Sequence, residues 1–209
     1  LLATAQALWL YATASRWAPQ TYPHILAKTK AYLLSLRAES GAFSLPDTAP
    51  RALDTATAAR ALLALYALDG DTHLLALAEQ SIRWAMAQHR LPSGGFSHPE
   101  TGQLELDDTQ AMALALFELH LATGLPNWLA EAEQTLNQVG EHLRDLRGGF
   151  IAAPESELRP WQGNLGIAQT ASQLYHATHN MRYWALAEHA LKFLAADFDP
   201  ATCPSTRQN

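Results

Sequence analysis

The stretch GGFSHPETGQLELDDTQAMALALFELHLATG, residues Gly94–Gly124, joins two kinds of chemistry. Its first half is loop material: paired glycines, a proline, and then Glu100, Glu105, Asp107 and Asp108 in quick succession. Its second half is rich in Ala and Leu, with Met112, Leu116 and Leu119 at helical spacing and no strand-like alternation. The same junction recurs along the chain. GAF ends at Phe43, GGF at Phe96 and GGF at Phe150, intervals of 53 and 54 residues. Tyr11, Tyr66, His120 and Tyr175 form a second register, and Ala78, Ala132 and Ala187 a third, with Ala27 a weaker first copy. A period of this length is the mark of stacked supersecondary units.

Each unit reads as a Gly/Pro loop, a helix, a short break such as DGD or TGLPN, and a second helix. The spacing predicts first helices over Asp54–Leu68 and Asp107–Thr123 and second helices over Thr72–Gln88 and Trp128–Leu143. The first helices are dense in Ala and apolar nearly all round, which predicts burial on several sides. The expected fold is therefore all-α: four helical hairpins, eight helices. The loops before each hairpin are long and should gather at one end, which favours a ring with inner and outer helix layers over an open solenoid.

Composition narrows the function classes. The 209 residues suffice for one substantial core, and residues 1–209 read as a single helical-hairpin domain. A net charge of -6, with Lys and Arg scattered, argues against nucleic acid and anionic membranes as partners. No apolar run is long enough for a membrane span, so the chain reads as soluble, with a cytoplasmic setting favoured. Cys203 is the only cysteine, which predicts no disulfide reductase activity for this segment. The chain opens at Leu1 inside a helical pattern and reads as a piece of a longer protein.

The segments LDDTQAMALALFELHLATGLPNWLAEAEQTL (Leu106–Leu136) and PWQGNLGIAQTASQLYHATHNMRYWALAEHALKFLA (Pro160–Ala195) resemble the helical region of the YyaL-like, spermatogenesis-associated thioredoxin-domain proteins. That resemblance implies an α/α toroid of the six-hairpin glycosidase type, here with four of six hairpins, and a covalently linked thioredoxin-like domain in the full-length protein. A second resemblance is to class II terpene cyclases, which protonate an olefin through an acidic motif; here Glu105 stands in place of its first aspartate.

Candidate site residues come from the loop-to-helix junctions. Asp107 is expected to cap its helix and so to be structural. Asp108 is expected to point into the mouth, because Leu106-Asp107 lines up with Leu53-Asp54 and leaves Asp108 over. Glu105 and His98 lie in the same loop, with Glu155, Glu157 and Arg159 in the next. Trp161, Gln162 and Asn164 occupy the equivalent junction of the last hairpin, where an aromatic and two amides suit a sugar face and its hydroxyls. Gly163 would let a group approach closely. No ligand spacing suggests a metal, and no motif a cofactor. The expected function is a toroid domain that binds a sugar, polyol or peptide at its mouth without established catalysis. The alternatives are a glycoside hydrolase or sugar epimerase using carboxylate acid–base chemistry, or a pure scaffold.

Overall fold

The computed structural model describes residues 1–18 and 22–197. Among these the chain forms eight helices: α1 (Leu2–Ser15), α2 (Pro23–Ser35), α3 (Ala52–Asp69), α4 (Thr72–His89), α5 (Leu106–Thr123), α6 (Pro126–His142), α7 (Trp161–Thr178) and α8 (Met181–Asp197). β-structure among the described residues is limited to isolated bridges. Among the described residues no helix is long and apolar enough to cross a membrane. Cys203 lies outside the described residues.

Helices pair within hairpins, α1 with α2 through α7 with α8, and the first members also pack in series: α1 on α3, α3 on α5, α5 on α7. The result is an inner row and an outer row, the arc of an α/α toroid. The inner helices explain the composition. α3 buries Ala52, Ala56, Ala58, Ala59, Ala61, Leu62 and Leu65, and α5 buries Ala111 through Phe117 without interruption, since both have neighbours on several sides. The first helices of the last three hairpins end on left-handed residues: Gly70, Gly124 and, without a glycine, His179.

The long loops share one device. Phe43, Phe96 and Phe150 are fully buried, and each forms an antiparallel bridge with an arginine behind it, Arg37, Arg90 and Arg144. The backbone N–H of each Phe then donates to the fourth residue of the next inner helix: to Thr55 Oγ1 at 3.2 Å, Thr109 Oγ1 at 3.0 Å and Asn164 Oδ1 at 2.7 Å. The repeated aromatics therefore do occupy equivalent places.

This latch corrects two expectations. Asn164 is completely buried, and its amide also donates to the Phe150 and Pro160 carbonyls, so it holds the loop and offers nothing to a ligand. The latch also sets the register. Thr55, Thr109 and Asn164 are equivalent, so Asp108 matches Asp54 and Gly163, while Asp107 matches Leu53 and Gln162. The loops differ in length by one residue each, and pairing the LD letters placed the aspartates one position off.

Candidate functional site

The two aspartates exchange the roles expected of them. Asp107 is the second residue of α5 and makes no capping bond; Glu105 stands at the cap position, also without one. Asp108 is fully buried. One of its oxygens accepts from Arg51 at 2.7 Å and the other from the backbone N–H of Leu53 at 2.8 Å. It thus caps the neighbouring α3, whose first-turn N–H groups need a partner. An oxygen pair so committed does not face the mouth.

Asp107 points instead onto the concave face. The inner helices line a trough there, and around Asp107 it opens into a cavity of about 290 Å³. Side chains from all four inner helices meet in it: Gln6 from α1, Thr57 and Arg60 from α3, Asp107 and Gln110 from α5, Gln162 and Gln169 from α7. Arg60 is clamped by Glu118 in a two-pronged ion pair, at 3.0 and 2.8 Å, and lies over the Trp9 ring. Beyond that pair the trough continues into a more apolar hollow of about 400 Å³ lined by Trp9, Thr13, Tyr66 and Leu121.

Burial raises three carboxyls at this end of the inner helices, and Asp107 is the one of them that lines the trough. Burial pushes its carboxyl above the ordinary aspartate range, the Asp108 charge pushes further, and Arg51 opposes. Glu105 is raised the same way, by burial and then by Asp108 and Asp107. Asp54 is raised mainly by burial. Among the described residues no hydrogen bond or ion pair engages the Asp107 carboxylate.

The remaining candidates separate. Gln162 joins Asp107 in the trough. His98 lines a different hollow at the mouth, of about 630 Å³, with Arg51, Asp54 and Glu100. Its Nδ1 accepts from the backbone N–H of Glu100, which folds the loop on itself. Glu105 is half-buried and lines neither hollow. Trp161 opens α7 with half its surface in solvent and does not line the cavity. Gln6, Arg60, Gln110 and Gln169 escaped the sequence reading. Helical spacing could have found two of them, because Gln110 lies one turn after Asp107 and Gln169 two turns after Gln162. Among the described residues no three His, Cys, Asp or Glu side chains converge as a metal site would require.

Comparison with known proteins follows the fold. A scan against protein-family models finds no match, and a search of curated proteins finds none. Solved structures do match. A glycoside hydrolase family 76 α-mannanase of Bacteroides thetaiotaomicron superposes with a TM-score of 0.77 at 13% identity, over 91% of this chain and 59% of that one. A cellobiose 2-epimerase of Spirochaeta thermophila gives 0.72 at 16%, over 93% and 58%. An inactive variant of an α-1,6-mannanase of Salegentibacter sp., two consecutive aspartates replaced by alanine and α-1,6-mannotetrose bound, gives 0.75 at 17%, over 93% and 62%. The chain spans about three-fifths of the length of these structures. The fold is thus that of an α/α toroid with the six-hairpin-glycosidase type of arrangement, of which the described residues form a four-hairpin arc. The resemblance to thioredoxin-domain proteins is overturned: no family model supports it, and the structural neighbours are mannanases and sugar epimerases.

Proposed function

We propose that the chain carries the substrate-facing part of a carbohydrate-active enzyme, with Asp107 as its working acid. The observation that carries this reading is an unpartnered, half-buried carboxylate standing in a cavity lined by the side-chain amides of Gln6, Gln110, Gln162 and Gln169. Amides both donate and accept, which suits a ring of sugar hydroxyls. A carboxyl raised by burial keeps its proton closer to neutrality and can give it to a glycosidic oxygen or exchange it at a sugar carbon. The neighbours' substrates, α-mannans and cellobiose, support the substrate class.

Hydrolysis with two carboxylates needs a second free one on the other side of the bond. Asp108 is committed to Arg51 and Leu53, and Glu118 to Arg60, so among the described residues Asp107 is the acid that lines the cavity without a partner. Proton transfer through Asp107 is therefore the step assigned to them.

Calorimetric titration of the chain with α-1,6-mannotetrose and with cellobiose tests the reading. Binding of one of them, weakened about tenfold or more by Gln162→Ala or Gln110→Ala, is the expected result. Product analysis should show turnover lost in Asp107→Asn. No binding of either sugar, or binding indifferent to Asp107, Gln110 and Gln162 alike, overturns it.

A further inference from the structure

We propose that Gly163 and Gly166 are positioning residues: one turn apart on α7, they form the recess that receives the Asp107 carboxylate and the Gln110 amide of α5, and so fix where the acid stands. The proposal rests on the reading of Asp107 as the working acid.

The first argument is the repeat. The third residue of an inner helix is Asp54 in α3 and Asp108 in α5, but Gly163 in α7. Asp108 reaches back to the start of the preceding inner helix and caps it. A side chain at 163 would reach back to the start of α5, where Asp107 stands. A Cβ there would lie 2.5 Å from Asp107 Oδ1 and 2.8 Å from a Leu106 methyl carbon. The place taken by a capping acid between α5 and α3 is thus given up, between α7 and α5, to the carboxylate of Asp107.

The second argument is the cost of glycine within a helix. Glycine destabilises a helix interior relative to alanine, and is common where φ is positive or where another group comes close. Neither Gly163 nor Gly166 has a positive φ, so turn geometry does not explain them. Close approach does. A Cβ at Gly166 would collide with the carboxamide of Gln110. Asp107 and Gln110 are three residues apart on α5, and the glycines are three apart on α7, so two adjacent side chains meet two adjacent absences. Elsewhere a helical glycine makes room for apolar packing, as Gly140 does for Leu186. Here both groups received are polar, and both line the cavity.

The charges around Asp107 are Asp108 and Glu105 on its own element and Arg51 and Arg60 on or before α3; α1 and α7 bring the neutral amides of Gln6, Gln162 and Gln169. Filling the recess should therefore move Asp107 toward the open trough and better hydration, without giving it a new partner.

The test is Gly163→Ala in this chain, followed by NMR titration of the Asp107 carboxyl carbon and by thermal melting. The titration midpoint should fall toward the ordinary aspartate range while the melting temperature changes little, the better helix propensity of alanine offsetting the crowding of the buried Leu106 side chain. Gly166→Ala is read through the Gln110 side-chain amide resonances, which should shift. Unmoved signals in both variants, or unfolding of both, would make the glycines ordinary packing residues and overturn the proposal. The outcome is separable from the functional reading. If Asp107→Asn leaves sugar chemistry intact, that reading fails even where the midpoint moves; if the midpoint stays, the recess fails whatever the sugars do.

Discussion

The fourth residue of α3, α5 and α7 and the two residues before it answer to different demands. At the fourth position Thr55, Thr109 and Asn164 all do one thing, holding the backbone of a buried Phe. At the second and third positions the pairs are Leu53-Asp54, Asp107-Asp108 and Gln162-Gly163, with no side-chain type kept throughout. The first set faces the loop, whose buried N–H must find an acceptor in every hairpin. The second lies toward the concave face and the seams between hairpins, where each pair meets a different neighbour. In a repeat protein the positions that stop repeating are where a site can be built.

The sharpest way to break that comparison is Phe96→Ala. It should lower the unfolding free energy by about 3–5 kcal/mol in denaturant titration, because a fully buried aromatic leaves a cavity and a loose loop. A loss under about 1 kcal/mol would mean the latch is not structural.

Asp108→Ala should come next, at about 2–4 kcal/mol by the same measurement. It strands Arg51 and uncaps α3, but Arg51 keeps 30% of its side chain in water, which softens the loss. Sugar chemistry at the trough that survives in the folded fraction would sharpen the distinction between the two aspartates.

Asp107→Asn should have the smallest effect on stability. Burial raises the folded-state pKa above the unfolded value, so the stability linked to this group is present at low pH and lost as pH rises through the folded pKa. An uncharged amide removes that loss. The variant should melt at the same temperature as the parent or slightly higher at neutral pH, by up to about 0.5 kcal/mol, and show no gain well below the carboxylate range. A marked drop at neutral pH would make Asp107 a structural acid like its neighbour.

The architecture was legible in the sequence because its signals are periodic. Phe43, Phe96 and Phe150 recur at nearly constant intervals, and Ala-rich inner helices must be buried. The site was only partly legible. Asp107 and Asp108 were read in each other's roles because the latch spans 12, 13 and 14 residues in successive loops, and identical LD letters masked that drift. Asn164 looked like a ligand amide because a buried acceptor for a loop N–H has the same chemistry as a sugar contact. Gln6 and Arg60 carry no motif; only the curvature of the arc brings α1 and α3 over Asp107. Gly163 was read as a place of close approach, but not what approaches it.

The Asp108 cap has a consequence for how the chain comes into being. α3 is completed at its first turn by a carboxylate 55 positions downstream, and the first N–H of α5 donates to the carbonyl of Ala152 in the loop after α6. The second and third hairpins are each finished by residues made after them. On the ribosome, at about 5–20 residues per second, the start of α3 waits on the order of several seconds for Asp108 to be added. The starts of α3 and α5 are therefore completed only after the segments that hold them have emerged.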